Sequence, residues 1–397
     1  MTAITVAGGV YHERCVWPDW DQIYGSGGRA AAALAGHSNR VTLRTYARKD
    51  TAERFKSLAG ATYGFHLDPA DSNQLISFEY VHSLSVPVIR PTLGHILPNE
   101  PIDVTDNVVL RFGMLEGSAR VDAERCVYDP QSAFRPEPFG ENGSKARHLA
   151  IVGNGSEILA LGRDANHERS AQALIREGAE VVVVKLGVAG ALVVDASGST
   201  RLPAYQTQPV WTVGSGDVFA AMFAANWGIH ASRPIEAARF ASRAVAEYTS
   251  SMALPIPTAT VLASTPMPQA RAAGGRIYLA GPFFTLGQRW LVDEARRSIR
   301  DLGMEAFSPV HDVGHGAAET VAKADLAELD KCDAVFAILD GLDSGTLFEV
   351  GYARAHSKPV YALAQTVSEE DLKMVTASGC VVFDDFVTAL HHLAWRT

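Results

Sequence analysis

Short apolar runs, each closed by glycine, proline or aspartate, alternate with stretches of helical periodicity along nearly the whole chain. In the C-terminal third, Arg276-Ile-Tyr278-Leu-Ala-Gly281-Pro282 reads as a strand ending in a Gly-Pro turn. A helical pattern over about 287–302 follows, with Trp290, Leu291, Ala295, Ile299 and Leu302 on its apolar face. A short strand near 304–307 and a helix over about 317–329, carrying Asp325, come next. The apolar run 333–339 enters a turn holding Asp340, Asp343 and Gly345. A helix starting near Thr346 then carries Glu349 in its first turn, and a last strand spans 359–364. Strands and helices alternating at this spacing predict an α/β, doubly wound parallel sheet. Such sheets bind ligands at the carboxyl ends of their strands, where Tyr278 and Phe283 would meet Asp340 and Asp343.

The upstream residues alternate in the same way, with strands expected at 108–111, 126–129, 149–152, 181–186 and 191–195. Between the two parts, Ala263-Ser-Thr-Pro-Met-Pro-Gln-Ala-Arg-Ala-Ala-Gly-Gly275 is small, rich in Pro and Gly and aperiodic, as a linker is. The expected organisation is therefore a domain over 1–262, a linker over 263–275 and a smaller domain over 276–397, with no internal repeat. With 397 residues and 47% hydrophobic content, the chain can bury substantial cores. A net charge of −9 without a Lys/Arg run argues against nucleic acid or an anionic membrane surface as partner. No apolar run reaches the ~18 residues of a membrane span and no signal-peptide pattern opens the chain, so the cytoplasm is expected. Cys15, Cys126, Cys332 and Cys380 are too scattered for a disulfide framework or a zinc site. His311 and His315 flank a glycine-containing loop, and without a helix or an intervening glutamate that pair reads as a loop rather than a metal site.

The most informative stretch is Asp343-Ser-Gly345-Thr-Leu-Phe-Glu349-Val-Gly351-Tyr-Ala353. A carboxylate in a first helical turn feels the positive end of the helix dipole and is expected to stay ionised. Held beside a sugar-binding cleft, it has what displacement at an anomeric carbon requires; the plain reading of the segment is an acidic turn on a solvated helix. Together with Ile277-Tyr278-Leu-Ala-Gly281-Pro282-Phe283 and Asp325, eight residues before Asp333, it resembles the nucleoside 2-deoxyribosyltransferase family over roughly 276–397. The resemblance implies a retaining double displacement without a cofactor. Glu349 would be the nucleophile, Tyr278 would orient it, and Asp325 and Asp343 would contact and protonate the base. Gly281, Phe283, Asp340 and Gly345 would line the nucleoside site. A related class that hydrolyses deoxynucleoside monophosphates would need phosphate-binding groups in the first loop. Gly-Pro-Phe-Phe-Thr stands there instead and favours an unphosphorylated nucleoside.

The second motif is Trp211-Thr212-Val-Gly214-Ser215-Gly216-Asp217 leading into Val-Phe-Ala-Ala-Met-Phe. Two glycines at a helix start can expose N–H groups as an anion hole, and Asp217 beside it is placed to take a proton from an attacking hydroxyl. With Asn154-Gly-Ser-Glu157, Lys185-Leu-Gly187-Val-Ala-Gly190 and the glycine-rich turn Gly25-Ser-Gly27-Gly28 leading into a helix, this resembles the ribokinase-like (PfkB) kinases over roughly 1–262. The resemblance implies a central sheet flanked by helices with a small lid. Asp217 would be the base, and Gly214, Ser215 and Gly216 the anion hole. Gly187 and Gly190 would lie along the ATP site, and Asn154 and Glu157 would help hold Mg²⁺. Two positions depart from the family pattern: Trp211 stands where Asp is usual, and Ala32 where Asn is usual. The acceptor end is thereby altered, leaving Tyr11, Glu13, Asp19 and Asp21 as candidates to contact an acceptor, with Trp17 and Trp20 as candidates for lid packing.

The combined expectation is a bifunctional enzyme of nucleoside or sugar salvage, using ATP and Mg²⁺ in its first domain. The alternatives are an N-glycoside hydrolase using no acceptor base, and a nucleotide sensor with a non-catalytic kinase-like domain. Small-molecule nucleosides and sugars are the expected partners, and self-association is implied by the deoxyribosyltransferase resemblance.

Overall fold

The computed structural model describes residues 3–132, 135–314 and 316–396. The chain forms two compact units, Met1–Thr207 with Trp211–Gln269, and Ala270–Thr397 with Gln208–Val210.

The first unit is built on a nine-stranded sheet. From edge to edge it runs Gly198–Leu202, Ala191–Asp195, Val181–Lys185, Lys145–Asn154, Ala119–Asp129, Ile102–Phe112, Ala3–Ala7, Arg40–Ala47 and His66–Asp71. All pairings are parallel except the two at the Gly198–Leu202 edge. The run Val181-Val-Val-Val184 is buried throughout, and a strand covered on both faces is apolar rather than alternating. Strand order reverses between Ala3–Ala7 and Ile102–Phe112, which opens a crevice at their carboxyl ends. The glycine-rich segment expected as a turn is itself the start of the helix Gly25–Ala33, buried along its whole length. A side chain at Gly27 would bring its Cβ within 2.5 Å of the Gly8 carbonyl oxygen, so glycine is required for this close approach. A separate four-stranded sheet orders Trp20–Ile23, His12–Trp17, Ser77–His82 and Val88–Arg90.

The second unit holds a five-stranded, all-parallel sheet ordered Glu305–Phe307, Arg276–Ala280, Ala334–Ile338, Val360–Leu363 and Val381–Phe383. Its switch point lies between Arg276–Ala280 and Ala334–Ile338. Three expectations need correction. The helix Leu286–Asp301 buries Val292, Ala295, Ser298 and Ile299, while Trp290 is 46% exposed. The Thr285–Gln288 capping box sets the helix start, and Trp290 lies two residues from Val292, about 200° around the helix from the buried stripe. The chain does not end its sheet at 359–364, because Val381–Phe383 adds a fifth strand. Finally, the helix carrying Glu349 begins at Ser344, capped by Asp343, which puts Glu349 in its second turn.

Among the described residues, no helix is long and apolar enough to cross a membrane. Cys15, Cys126, Cys332 and Cys380 are all buried thiols.

Candidate active sites

In the second unit, Tyr278 comes from the strand Arg276–Ala280 and Glu349 from the helix Ser344–Ala355. The Tyr278 hydroxyl donates to Glu349 Oε1 at 2.6 Å. Burial and the neighbouring Glu349 charge raise the Tyr278 phenol far above its usual range, so it stays a donor. Glu349 does not behave as its helix position suggested. Burial pushes its carboxyl up to about 7, the Tyr278 hydrogen bond opposes this, and the Asp325 and Asp343 charges push the same way. The expectation of an ionised first-turn carboxylate fails because a helix start two residues earlier moves Glu349 past the free N–H groups, while packing withdraws it from water.

Glu349 lines a small hollow of about 40 Å³ with Asp343, Gly281, Phe283, Thr346 and Ser308. Asp343 is both wall and cap: its Oδ2 accepts from Thr346 N at 2.8 Å and Thr346 Oγ1 at 2.9 Å. Gly345 lies beside that cap, where an added Cβ would come within 3.2 Å of Asp343 Oδ2. Asp325, on the helix Ala318–Lys331, is raised by burial, and its Oδ1 is buried without a hydrogen-bond partner. Asp340 is drawn elsewhere. Its Oδ1 accepts from Thr366 N and Oγ1, and both its oxygens accept from Gln365 N, so it clips the loop after Val360–Leu363. Sequence reading missed Ser308, Pro309 and Val310 in the hollow; the signal was Ser-Pro at the carboxyl end of a strand. His311 pairs with Asp293 at 2.6 Å and with Ser308, and His315 lies outside the described residues.

In the first unit, Gly214 caps the helix Ser215–Phe223 at φ +77. Its backbone is covered by the Arg29 side chain, which leaves no room for a Cβ. Ser215 N–H donates to Thr212 O, and Gly216 lies near Lys185, whose Nζ would sit 3.3 Å from an added Cβ. Asp217, 8% exposed, holds two donors: Arg29 Nη1 on Oδ2 at 2.9 Å and Gln131 Nε2 on Oδ1 at 2.5 Å. Arg29 is itself 1% exposed. It also donates to Glu13 through both terminal nitrogens and to Tyr248 Oη through Nε at 3.0 Å. Its guanidinium is held charged, because the Glu13 and Asp217 carboxylates outweigh the burial that opposes it. Glu13 is thus committed to Arg29, and Tyr11 donates to Glu116 at 2.7 Å. Asp21 pairs with His12 at 2.6 Å, and Asp19 is exposed. Trp20 packs on buried Trp211, with ring centroids 5.3 Å apart, while Trp17 is 53% exposed.

Asn154 and Glu157 form a capping box on the helix Gly155–Gly162. Asn154 Oδ1 accepts from Glu157 N, Glu157 Oε2 from Asn154 N and Glu157 Oε1 from Ser132 N. Nearby, Asp129 is fully buried, pairs with Lys185 at 2.5 Å and keeps Oδ1 without a hydrogen-bond partner. Its carboxyl is raised by burial against the pull of Lys185, with Glu157 and Asp217 adding to the rise. Both Glu157 oxygens are thus engaged by backbone N–H groups, and Asp129 Oδ1 is sealed from solvent. Among the described residues, no group of three His, Cys, Asp or Glu side chains is arranged to hold a metal by itself, so Mg²⁺ would need nucleotide phosphate as further ligand. Gly187 and Gly190 shape the hairpin between Val181–Lys185 and Ala191–Asp195, where Leu186 N–H donates to Gly190 O at 2.8 Å. Arg29, Gln131 and Asp129 were missed from sequence; Arg29 directly follows the Gly27-Gly28 pair, and Asp129 closes an apolar strand at an Asp-Pro step.

Comparison with known proteins agrees with the two halves. Residues 147–258 match the model of the pfkB family of carbohydrate kinases, and residues 277–384 match that of nucleoside 2-deoxyribosyltransferases. Curated 5-dehydro-2-deoxygluconokinases of Bacillus subtilis and Listeria innocua are 30% and 29% identical over 138 residues. That match spans 31% of this chain and 42% of each relative's length. Among solved structures, a ribokinase from Thermotoga maritima is similar at TM-score 0.48 and 17% identity, over 66% of this chain and 99% of that one. A fructokinase from Vibrio cholerae, bound to fructose, ADP and calcium ion, gives TM-score 0.48 and 16% identity, over 66% of this chain and 98% of that one. The chain thus carries a stretch that matches the pfkB carbohydrate kinases followed by one that matches the nucleoside 2-deoxyribosyltransferases.

Proposed function

We propose that the chain is a bifunctional transferase. Its second unit cleaves or exchanges the N-glycosidic bond of deoxynucleosides through Glu349, and its first transfers phosphate from ATP to an alcohol with Asp217 as base. The observation that carries the first half is the 2.6 Å hydrogen bond from Tyr278 to Glu349 in a hollow shared with Asp343. The phenol fixes the carboxylate's orientation. Once Glu349 has lost its proton, its oxygen is free to form the bond to the anomeric carbon as the bond to the base breaks. Asp325, whose carboxyl burial raises above its ordinary range, is the group assigned to protonate the leaving nitrogen. The test is release of free base from deoxynucleosides by the wild type and by Glu349→Ala, with a second base added. Release lost in the variant, with a new nucleoside formed, supports exchange. Release with free sugar whatever base is added supports hydrolysis, and release unaffected by the substitution overturns the assignment.

A second reading of the first unit is favoured by one observation: both Asp217 oxygens are occupied by Arg29 and Gln131. A base so engaged fits a domain that binds nucleotide without transferring phosphate. Thermal stabilisation by ATP without ADP formation, across a panel of sugars and nucleosides, would select this reading; ADP formed in step with a phosphorylated product would select the kinase.

A further inference from the structure

A cleft of about 730 Å³ lies at the carboxyl ends of Ile102–Phe112 and Ala119–Asp129, reached by Tyr11 from the chain just beyond Ala3–Ala7. It borders the switch point between Ala3–Ala7 and Ile102–Phe112, where open α/β sheets bind ligands, and the size suits a small organic molecule. Gln131 lines the cleft and links it to the buried carboxylate, since its amide is the donor on Asp217 Oδ1. It does so from a backbone at φ +45, a conformation that costs energy in a residue other than glycine and that tends to mark functional sites.

Apolar side chains dominate the walls, with Phe78 and Ile89 from the small sheet, Leu93, and Met114, Leu115 and Pro130 from the large-sheet loops, while Thr92, Ser132 and the exposed Arg135 add polar lining. Several of the polar groups around them are already engaged within the protein. The Tyr11 hydroxyl donates to Glu116 and accepts from Leu115 N–H. The Arg111 guanidinium lies over the Tyr128 ring and donates to Phe139 O, Ser144 Oγ and Glu137 Oε2. A free sugar carries a hydroxyl on nearly every carbon, and each would leave water to face these walls with few partners. A flat heteroaromatic ring has the opposite balance: it gains from leaving water and from contact with Phe78, and needs few polar partners.

We infer that this cleft takes an alcohol bearing a flat heteroaromatic ring, a nucleoside being the representative, in preference to a free sugar, and that the alcohol's O–H replaces the Gln131 amide on Asp217 Oδ1. The inference rests on the reading of Asp217 as the centre of this domain's site. It names the substrate class whether or not phosphate is then transferred.

The test is calorimetric titration of the full chain, with a non-hydrolysable ATP analogue present, using deoxyadenosine, deoxycytidine, ribose and fructose. Because the second unit is also expected to bind nucleosides, the cleft is isolated with Leu93→Asp and Met114→Asp. Leu93 is 42% exposed, so its replacement leaves folding intact and serves as the control for Met114. The expected result is two nucleoside sites in the wild type, one of them weakened at least tenfold by both substitutions, with no binding of either sugar. Sugar binding as tight as nucleoside binding, or nucleoside binding that neither substitution changes, would overturn the inference. Nucleoside binding to the cleft without phosphate transfer from ATP itself would uphold it while removing the kinase reading.

Discussion

Glu349 titrates where a carboxylate does not ordinarily do so, and the consequences belong to that side chain. Its ordinary value is 4.5 and its folded value about 7, with burial the main cause. A nucleophile must be ionised, so deoxynucleoside cleavage should rise with pH through about 7. Tyr278→Phe removes the one contact that lowers the value, and should move the rising limb of the pH–rate profile to higher pH while cutting kcat roughly 10- to 100-fold. An unmoved limb would separate Tyr278 from Glu349's titration. Stability follows the same shift. Between about 4.5 and 7 the folded protein keeps a proton on Glu349 that the unfolded chain has released, so the stabilisation from the neutral buried acid is complete below 4.5 and lost as pH rises to 7. Glu349→Gln cannot lose it. Denaturant melts should show the variant gaining on the wild type between pH 5 and pH 8, by up to about 3 kcal/mol. The residue type at 349 was legible in the sequence; its environment was not. The burial comes from residues as distant as Leu279, Val292 and Pro309, which periodicity does not bring together. Arg29 was hidden for the same reason, because its partners Asp217 and Tyr248 lie 188 and 219 residues away.

At the scale of elements, helix starts decide which groups are chemically available. The turn 340–345 was legible as a turn, and the helix after it as a helix, yet the start lies at Ser344 because Asp343 folds back to accept from Thr346. Asp343 therefore has two separable roles. Asp343→Ala removes the cap and should cost about 1 kcal/mol in a denaturant melt. Asp343→Asn keeps a capping oxygen and removes the charge that raises Glu349, so it should leave stability close to wild type and lower the midpoint of the pH–rate profile. Equal effects of the two substitutions on both readouts would show that the cap and the charge do not act separately. The last strand escaped sequence reading because Val381–Phe383 is three residues long, too short for a period of two to register. The long apolar runs, such as Val181–Lys185, were legible because strands buried on both faces leave no polar alternation.

The molecule as a whole is two parallel-sheet units, each with its own switch point and its own carboxylates near that point. Joining them raises the concentration of any compound that one site releases and the other accepts. The apolar cleft near Asp217 and the hollow around Glu349 would then serve related heteroaromatic compounds. The central claim is that Glu349 forms a covalent bond to the sugar. It is tested most directly by intact-protein and peptide mass spectrometry after brief incubation with a deoxynucleoside and acid quench. The account predicts a deoxyribosyl adduct on the peptide containing Glu349, absent from Glu349→Ala and discharged by adding a free base or by longer exposure to water. Base release at full rate with no adduct on that peptide, or an adduct that persists in Glu349→Ala, would contradict it.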